Sequence, residues 1–308
     1  MPDGNSVRGV VIGDTLAQLP IGTPIPIVPV PFTTSNATAI PQGATNWTFF
    51  EGAILMVVVR TAEGEMAVGT AAIVAPGLAI SATHVLADHL PEILAGTASL
   101  SCMGPASTGL DIWQVRKIST SEGDDIAYLS LELTSAVSID WRFRTIALTT
   151  RAPRNGETLH VVGFQIPRMF RDSADGTKVT ALGNLYLAAG SVTAAYPHRR
   201  DPLLLPYPCI EIACGSLNGM SGGAVLDASG CLVGVISRGF DTEDGQGPSY
   251  AAWIVGALNR SVEVPWPPGI YSQPVHLLDI DARVMLIKGR DRITAVKGRG
   301  TEYQVWFE

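Results

Sequence analysis

From Ala53 onward the chain is a succession of short apolar runs cut by turn residues, and that rhythm limits what it can fold into. Ala53–Thr61, Met66–Val74 and Leu78–Ala82 read as three consecutive strands, separated by the turns Glu63-Gly64-Glu65 and Pro76-Gly77. Further strands are expected at Ile112–Ile118, Ile126–Leu133, Leu159–Gly163, Val179–Thr193, Ile210–Ala213, Ala224–Ser237 and Tyr250–Val255. Val85–Leu90 offers a helical turn or two before Pro91, and Ala252–Leu258 is open to being a short helix, but few stretches keep a helical period beyond about ten residues. With 32 Gly and 21 Pro among 308 residues, turns are frequent. The pattern predicts an all-β chain of antiparallel barrels or sandwiches, long enough for two such units, with Leu133–Thr150 as the connection between them.

Flanking segments differ from this body. Residues 1–48 form a Pro-rich arm in which Pro20, Pro24, Pro26, Pro29 and Pro31 fix φ and remove donors, so an extended path is expected. The arm reads either as a strap lying across the body or as an autoinhibitory or partner-docking segment. A second Pro-rich run, Val264-Pro265-Trp266-Pro267-Pro268-Gly269, follows the body. The tail to Glu308 adds two strand-like runs, Arg283–Lys288 and Glu302–Phe307. The expected organisation is therefore an arm (1–48), a first barrel (49–145), a second barrel (146–260) and a C-terminal extension (261–308), through whose outer segments a regulatory partner would act.

Composition removes several functions. At 46% apolar and 16% charged residues the chain is built to bury a core. A net charge of −7 gives no support to nucleic-acid binding. The longest clean apolar run, Ala53–Val59, is far shorter than the roughly 18–20 residues a membrane-spanning helix needs. The start, Met1-Pro2-Asp3-Gly4-Asn5, lacks the basic and apolar regions of a secretory signal. Four cysteines (Cys102, Cys209, Cys214, Cys231) are too sparse for a disulfide scaffold, which points to buried or free thiols and a cytoplasmic setting. Cys209 and Cys214 have no second Cys/His pair beside them, so no metal is expected. Asp241-Thr242-Glu243-Asp244-Gly245 matches no complete calcium loop and reads as a solvated acidic turn.

The most informative segment is Gly215-Ser216-Leu217-Asn218-Gly219-Met220-Ser221-Gly222-Gly223. A serine between glycines can present its hydroxyl on a tight turn, with small neighbours that let a carbonyl approach and backbone N–H groups free to converge. A serine hydroxyl needs a base to remove its proton. Of five histidines (His84, His89, His160, His198, His276), only His84 stands at the end of an apolar strand, in Ala79-Ile80-Ser81-Ala82-Thr83-His84, where a cleft-facing imidazole is expected. The base in turn needs an acceptor on its second nitrogen. Gly123-Asp124-Asp125-Ile126-Ala127 supplies a carboxylate opening an apolar strand, from either Asp124 or Asp125.

These three segments resemble the chymotrypsin/trypsin-like family of serine proteases. Ser-Ala-Thr-His is similar to its histidine motif, Asp-Ile-Ala to its aspartate motif and Gly-Met-Ser-Gly-Gly to its nucleophile motif, in the family's order. The resemblance implies two six-stranded antiparallel β-barrels with the site between them, and no cofactor. It implies His84 as general base and then acid, Asp125 as its orienting carboxylate, and Ser221 as nucleophile towards a protein or peptide substrate. Asp125 is preferred to Asp124 because Ile126-Ala127 follows it. The N–H groups of Gly219 and Ser221 become the oxyanion hole, and Gly215, Ser216, Asn218, Ser237, Arg238 and Gly239 the substrate-binding residues.

Departures from the pattern are informative. Val85 stands where the digestive members have a cysteine. Met220 replaces the aspartate that pairs with their newly cleaved N-terminus, so activation by that ion pair cannot occur here. These place the chain nearer the bacterial and intracellular branch, although no PDZ domain is recognisable. Uncharged Gly215 at the pocket base implies cleavage after a small or medium uncharged residue. Ser237 stands where the glutamyl endopeptidases of this branch carry a histidine, which argues against acidic specificity by that route. Arg238 is expected at the rim. Two other readings remain: a catalytically silent protease-like binding module, and an α/β-hydrolase elbow at Gly219–Gly223. The latter is disfavoured because His84 and Asp125 precede the serine.

Overall fold

The structure is a computed structural model that describes residues 5–10, 13, 26–32, 37–44, 50–107, 109–136, 141–172, 174–240, 247–297 and 303–307. The acidic turn 241–245, and Pro20 and Pro24 of the arm, lie outside the described residues.

The first apolar hairpins do what their turns dictate. Strands β1 (Ile54–Thr61), β2 (Gly64–Ala75), β3 (Leu78–Ser81), β4 (Ser99–Ala106), β5 (Gly109–Ser119) and β6 (Ala127–Leu133) close into an antiparallel barrel in the order β1-β2-β3-β6-β5-β4. Gly77, at φ 69°, makes the β2–β3 turn in a conformation that favours glycine. Its position against the carbonyl of Trp266 leaves no room for a side chain. The strands of this barrel are buried on both faces, as Leu55, Val57 and Trp113 on one and Ile80 and Tyr128 on the other are all essentially inaccessible to water.

A second set repeats the architecture: β7 (Thr158–Arg171), β8 (Lys178–Tyr196), β9 (Cys209–Ile212), β10 (Ala224–Leu226), β11 (Leu232–Gly239) and β12 (Ser249–Trp253). Antiparallel pairings run β10-β7-β8-β9-β12-β11, and β11 returns to pair with β10, closing six strands around a core that includes Leu159, Val161, Ile210, Ile212, Val225 and Val233. The all-β double barrel read from the sequence is the fold of this protein.

Local differences have local causes. The run Ala224–Ser237 is two strands, because Asp227 Oδ1 accepts from the N–H groups of Ser229 and Cys231 and from the Ser229 hydroxyl, fixing a turn. Ser99–Ala106 is a strand although it holds Gly104 and Pro105, and Gly104 is where β4 passes against the backbone of Gly52. Of Arg283–Lys288 only Ile287–Lys288 is extended. Among the described residues, helix is confined to His84–Ala87, Leu90–Leu94 and single 3-10 turns such as Gly256–Leu258.

The flanking segments are paired to the barrels. Asn5–Val10 and Gln42–Gly43 add to β8, and Ile27–Pro29 runs parallel to Phe143–Thr145. From the other end, Ile287–Lys288 pairs with Leu148–Thr149. Trp266 is buried edge-on against Trp113 and Phe143, with ring centroids 5.7 Å from each. No helix among the described residues is long and apolar enough to cross a membrane.

Candidate active site

His84 opens a single helical turn just after β3, and Asp125 lies just before β6, the strand that pairs with β3. This adjacency brings together two side chains 41 residues apart. Asp125 Oδ1 accepts the backbone N–H of His84 at 2.9 Å, and Oδ2 contacts its Nδ1 at 2.8 Å. The carboxylate is 5% exposed and would be costly to bury without such partners. With Nδ1 donating to the carboxylate, Nε2 of the neutral imidazole is left as the acceptor. The imidazole is 36% exposed, open to a substrate on that side.

Asp124 turns elsewhere. Its Oδ1 accepts from Ile126 N at 3.0 Å and its Oδ2 pairs with the Arg260 guanidinium, which also donates to the Ile126 carbonyl. The structure thus brings Asp125 rather than Asp124 to His84. The other histidines stand apart from this pair. His160 lies in β7 against Phe32, and burial lowers its pKa. His276 accepts from Leu278 N, and His89 lies 4.0 Å from Glu92.

Ser221 sits in the Leu217–Gly223 turn, clamped between the barrels. Thr70 of β2 donates its backbone N–H to the Ser221 carbonyl at 2.8 Å and its hydroxyl to the Gly219 carbonyl at 2.8 Å. The turn needs its glycines. Gly219 and Gly222 have φ of 96° and 80°, and a Cβ on Gly222 would lie 2.1 Å from the Thr70 carbonyl and 2.2 Å from the Ser81 hydroxyl. A Cβ on Gly69, next to Thr70, would meet both the side chain of Val85, at 2.7 Å, and the Ser221 carbonyl, at 2.9 Å. The backbone of Ser221 and the residue that follows His84 therefore both lie against this one glycine of β2. Among the described residues, no hydrogen bond engages the N–H groups of Gly219 and Ser221, the Ser221 hydroxyl or His84 Nε2. Met220 is fully buried in the core of the second barrel, an apolar anchor at the position where the sequence lacks the activating aspartate.

The residues expected to bind substrate divide. Gly215 is buried, and its N–H donates to the Ala39 carbonyl of the N-terminal arm at 2.8 Å. Ser216 faces Gly239 so closely that a Cβ on Gly239 would meet the Ser216 hydroxyl at 2.4 Å. Asn218, Arg238 and Gly239 are exposed. Ser237 differs from the sequence expectation in its side chain: it is 1% exposed and its hydroxyl donates to Asp125 Oδ2 at 2.5 Å, while Tyr207 bonds to it from behind. Because the Ser237 proton goes to the carboxylate, the Tyr207 hydroxyl is the donor of that second bond. Burial and the Asp125 charge push the Tyr207 pKa up, which keeps its proton in place. Thr70, Tyr207 and Arg260 went unnoticed in the sequence. Of these only Thr70 left a signal, a hydroxyl inside a run of buried apolar residues, where it must find a partner.

A double barrel with a serine turn, a histidine and a carboxylate gathered at its joint defines a protein of the trypsin-like class. Residues 69–235 match the trypsin-like peptidase domain family, a span of more than half of the 308 residues, and the chain belongs to that family. Solved structures of similar shape include the HtrA-type protease AlgW with tripeptide, at 20% identity and a TM-score of 0.46, covering 68% of this chain and 58% of that one. Human heparin binding protein is similar at 13% identity and TM-score 0.48, covering 70% and 91% of the respective chains. Deg5 is similar at 17% identity and TM-score 0.47, covering 69% and 88%. The chain spans 58% of the length of the first of these. No curated protein matches it in sequence.

Proposed function

We propose that this chain is a serine endopeptidase acting through an acyl-enzyme, with His84, Asp125 and Ser221 as its triad. The observation that carries the reading is the doubly bonded His84–Asp125 pair placed at the same joint as the glycine-bounded Ser221 turn. In the first step the Ser221 Oγ–C bond forms at the scissile carbonyl while the hydroxyl proton passes to His84 Nε2. Asp125 holds the ring and stabilises the imidazolium. The oxyanion is received by the N–H groups of Gly219 and Ser221, whose own carbonyls are held by Thr70. Collapse breaks the C–N bond and His84 returns the proton to the leaving amine. Water then repeats the sequence to release the acid and restore Ser221. No cofactor is required.

Gly239 and the exposed backbone beside it offer an edge for an extended peptide, and the close approach of Ser216 to Gly239 over an uncharged Gly215 suits a small or medium uncharged side chain before the cleaved bond. Arg238 stands exposed at the rim. Four free, buried thiols suit a reducing compartment such as the cytoplasm. Residues 1–48 and 261–308 are the segments through which a regulatory partner would act.

One observation favours the rival reading of a silent binding module: no hydrogen bond joins the Ser221 hydroxyl to His84, although such bonds often tighten only with substrate. Two measurements separate the readings. Stoichiometric labelling of Ser221 by a fluorophosphonate and cleavage of a peptide library are expected. Ser221→Ala is expected to abolish labelling and lower turnover by about 10⁴–10⁶-fold with the fold intact. An unlabelled wild-type serine, or undiminished cleavage by the variant, would overturn the proposal.

A further inference from the structure

We propose that Thr70 is the positioning residue that sets the oxyanion-hole turn in its working conformation; the inference rests on the endopeptidase reading above. The turn cannot set itself. Gly219, Gly222 and Gly223 open more backbone conformations than any other residue type, and rotation about Gly219 would swing the peptide groups that must point their N–H groups at the substrate. Bonds within the second barrel hold the far side of the turn: Met220 N to Leu217 O at 3.0 Å, Gly222 N to Ile236 O at 2.7 Å and Gly223 N to Met220 O at 2.9 Å. None of these fixes the Gly219 or Ser221 carbonyl. Both are taken by one residue of the other barrel.

Thr70 is fully buried, and each of its polar atoms is engaged. Its N–H donates to Ser221 O at 2.8 Å. Its hydroxyl accepts from Phe164 N at 3.0 Å, so its single proton is directed to Gly219 O at 2.8 Å. Its carbonyl accepts from the Ser81 hydroxyl at 2.7 Å, three residues before His84. With both carbonyls drawn towards β2, the N–H groups of Gly219 and Ser221 are the groups left to a developing oxyanion. A single residue thereby links the strand that leads to His84, through its carbonyl, to the turn that carries Ser221, through its N–H and hydroxyl. The methyl group of threonine plays no part in this; the hydroxyl does.

The test compares Thr70→Val, which keeps the shape and removes the donor, with Thr70→Ser, which keeps the donor. Both are made in the full chain and checked by thermal melting. Thr70→Val is expected to lower kcat on a peptide substrate by about 10²-fold, as loss of an oxyanion donor does, with KM changed by no more than about threefold. A peptide aldehyde, which forms an oxyanion on binding, should lose affinity by a comparable factor. Thr70→Ser should restore most of both. Hydrogen exchange across Leu217–Gly223 should accelerate in Thr70→Val and not in Thr70→Ser. The proposal is overturned if Thr70→Val keeps wild-type kcat and aldehyde affinity, if Thr70→Ser is as impaired as Thr70→Val, or if exchange in the turn is unchanged. The exchange measurement needs no turnover: an inactive wild type with accelerated exchange in Thr70→Val would sink the endopeptidase reading while sustaining the clasp.

Discussion

Removing the Ser237 hydroxyl isolates the least expected contact of the site. Asp125 receives three donors: the His84 backbone at 2.9 Å, the imidazole at 2.8 Å and Ser237 at 2.5 Å. In Ser237→Ala the first two remain, so His84 keeps its tautomer, but the carboxylate loses the bond that fixes Oδ2 from the second barrel. A hydrogen bond to a charged group contributes about 1.5–3 kcal/mol. If all of it were realised only in the transition state, the rate would fall by about 10- to 150-fold, since about 1.36 kcal/mol is a factor of ten. Part of it acts equally on the resting site and cancels, so a fall nearer to about tenfold in kcat is expected, with KM little changed. The same substitution strands the Tyr207 hydroxyl in a buried site, costing about 1–3 kcal/mol of stability. Steady-state kinetics on a peptide amide and urea unfolding read the two effects separately. Tyr207→Phe leaves Ser237 free to bond to Asp125 and should lose stability while retaining most activity. A Ser237→Ala enzyme with wild-type kcat would refute the claim that this contact orients the carboxylate.

Three other perturbations test the frame around the site. Met220→Ala empties a fully buried position in the second core and should cost about 2–5 kcal/mol in urea unfolding. Trp266→Ala, at a 4% exposed ring packed on Trp113 and Phe143, should cost about 3–5 kcal/mol, showing that the segment beyond residue 260 belongs to the first barrel's core. Asp111 is a buried carboxyl whose pKa burial pushes up to about 7, helped by the Glu51 charge and opposed by the Trp141 indole N–H. Its neutral form is compatible with folding, so its contribution is complete below the ordinary carboxylate range and is lost as pH rises through about 7. Asp111→Asn should therefore melt above wild type in alkaline buffer, with the gap closing in acid. An equal gap at both pH values would rule out ionisation as the cause.

The sequence made the barrels legible where turn chemistry was strong. Pro76-Gly77 and Glu63-Gly64 mark the first hairpins, and the later half of β2 between them and the β3 run after them are nearly continuous apolar sequence. It misled where a strand tolerated a breaker, as β4 does at Pro105, or where a turn was built from side-chain hydrogen bonds, as at Asp227. The motif residues were visible because the nucleophile, base and acid proposed for them each require a particular residue type in a particular local setting. The residues that hold them were not. Ser237 reaches Asp125 across 112 residues of sequence, and Thr70 reaches Gly219 across 149. Nothing in the neighbourhood of either along the chain names its partner, because the partner is chosen by how two separately closed barrels meet.

That dependence explains what replaces the missing activation ion pair. In the family resemblance, an aspartate before the nucleophile draws the turn into place once a new N-terminus is made. Here Met220 occupies that position and is buried outright, so the same peptide is held by apolar contact with the core that forms as the second barrel closes. Gly163 of β7 lies so close that its Cβ would sit 2.8 Å from Met220 Cα, a fit that leaves the turn little freedom on that side. Thr70 restrains the other side from the first barrel. A turn held from both barrels can take this arrangement only when the two barrels are docked. The physical link between fold and proposed function therefore lies at the joint: the contact that holds the Ser221 turn is made by β2 of the barrel that also carries the His84–Asp125 pair.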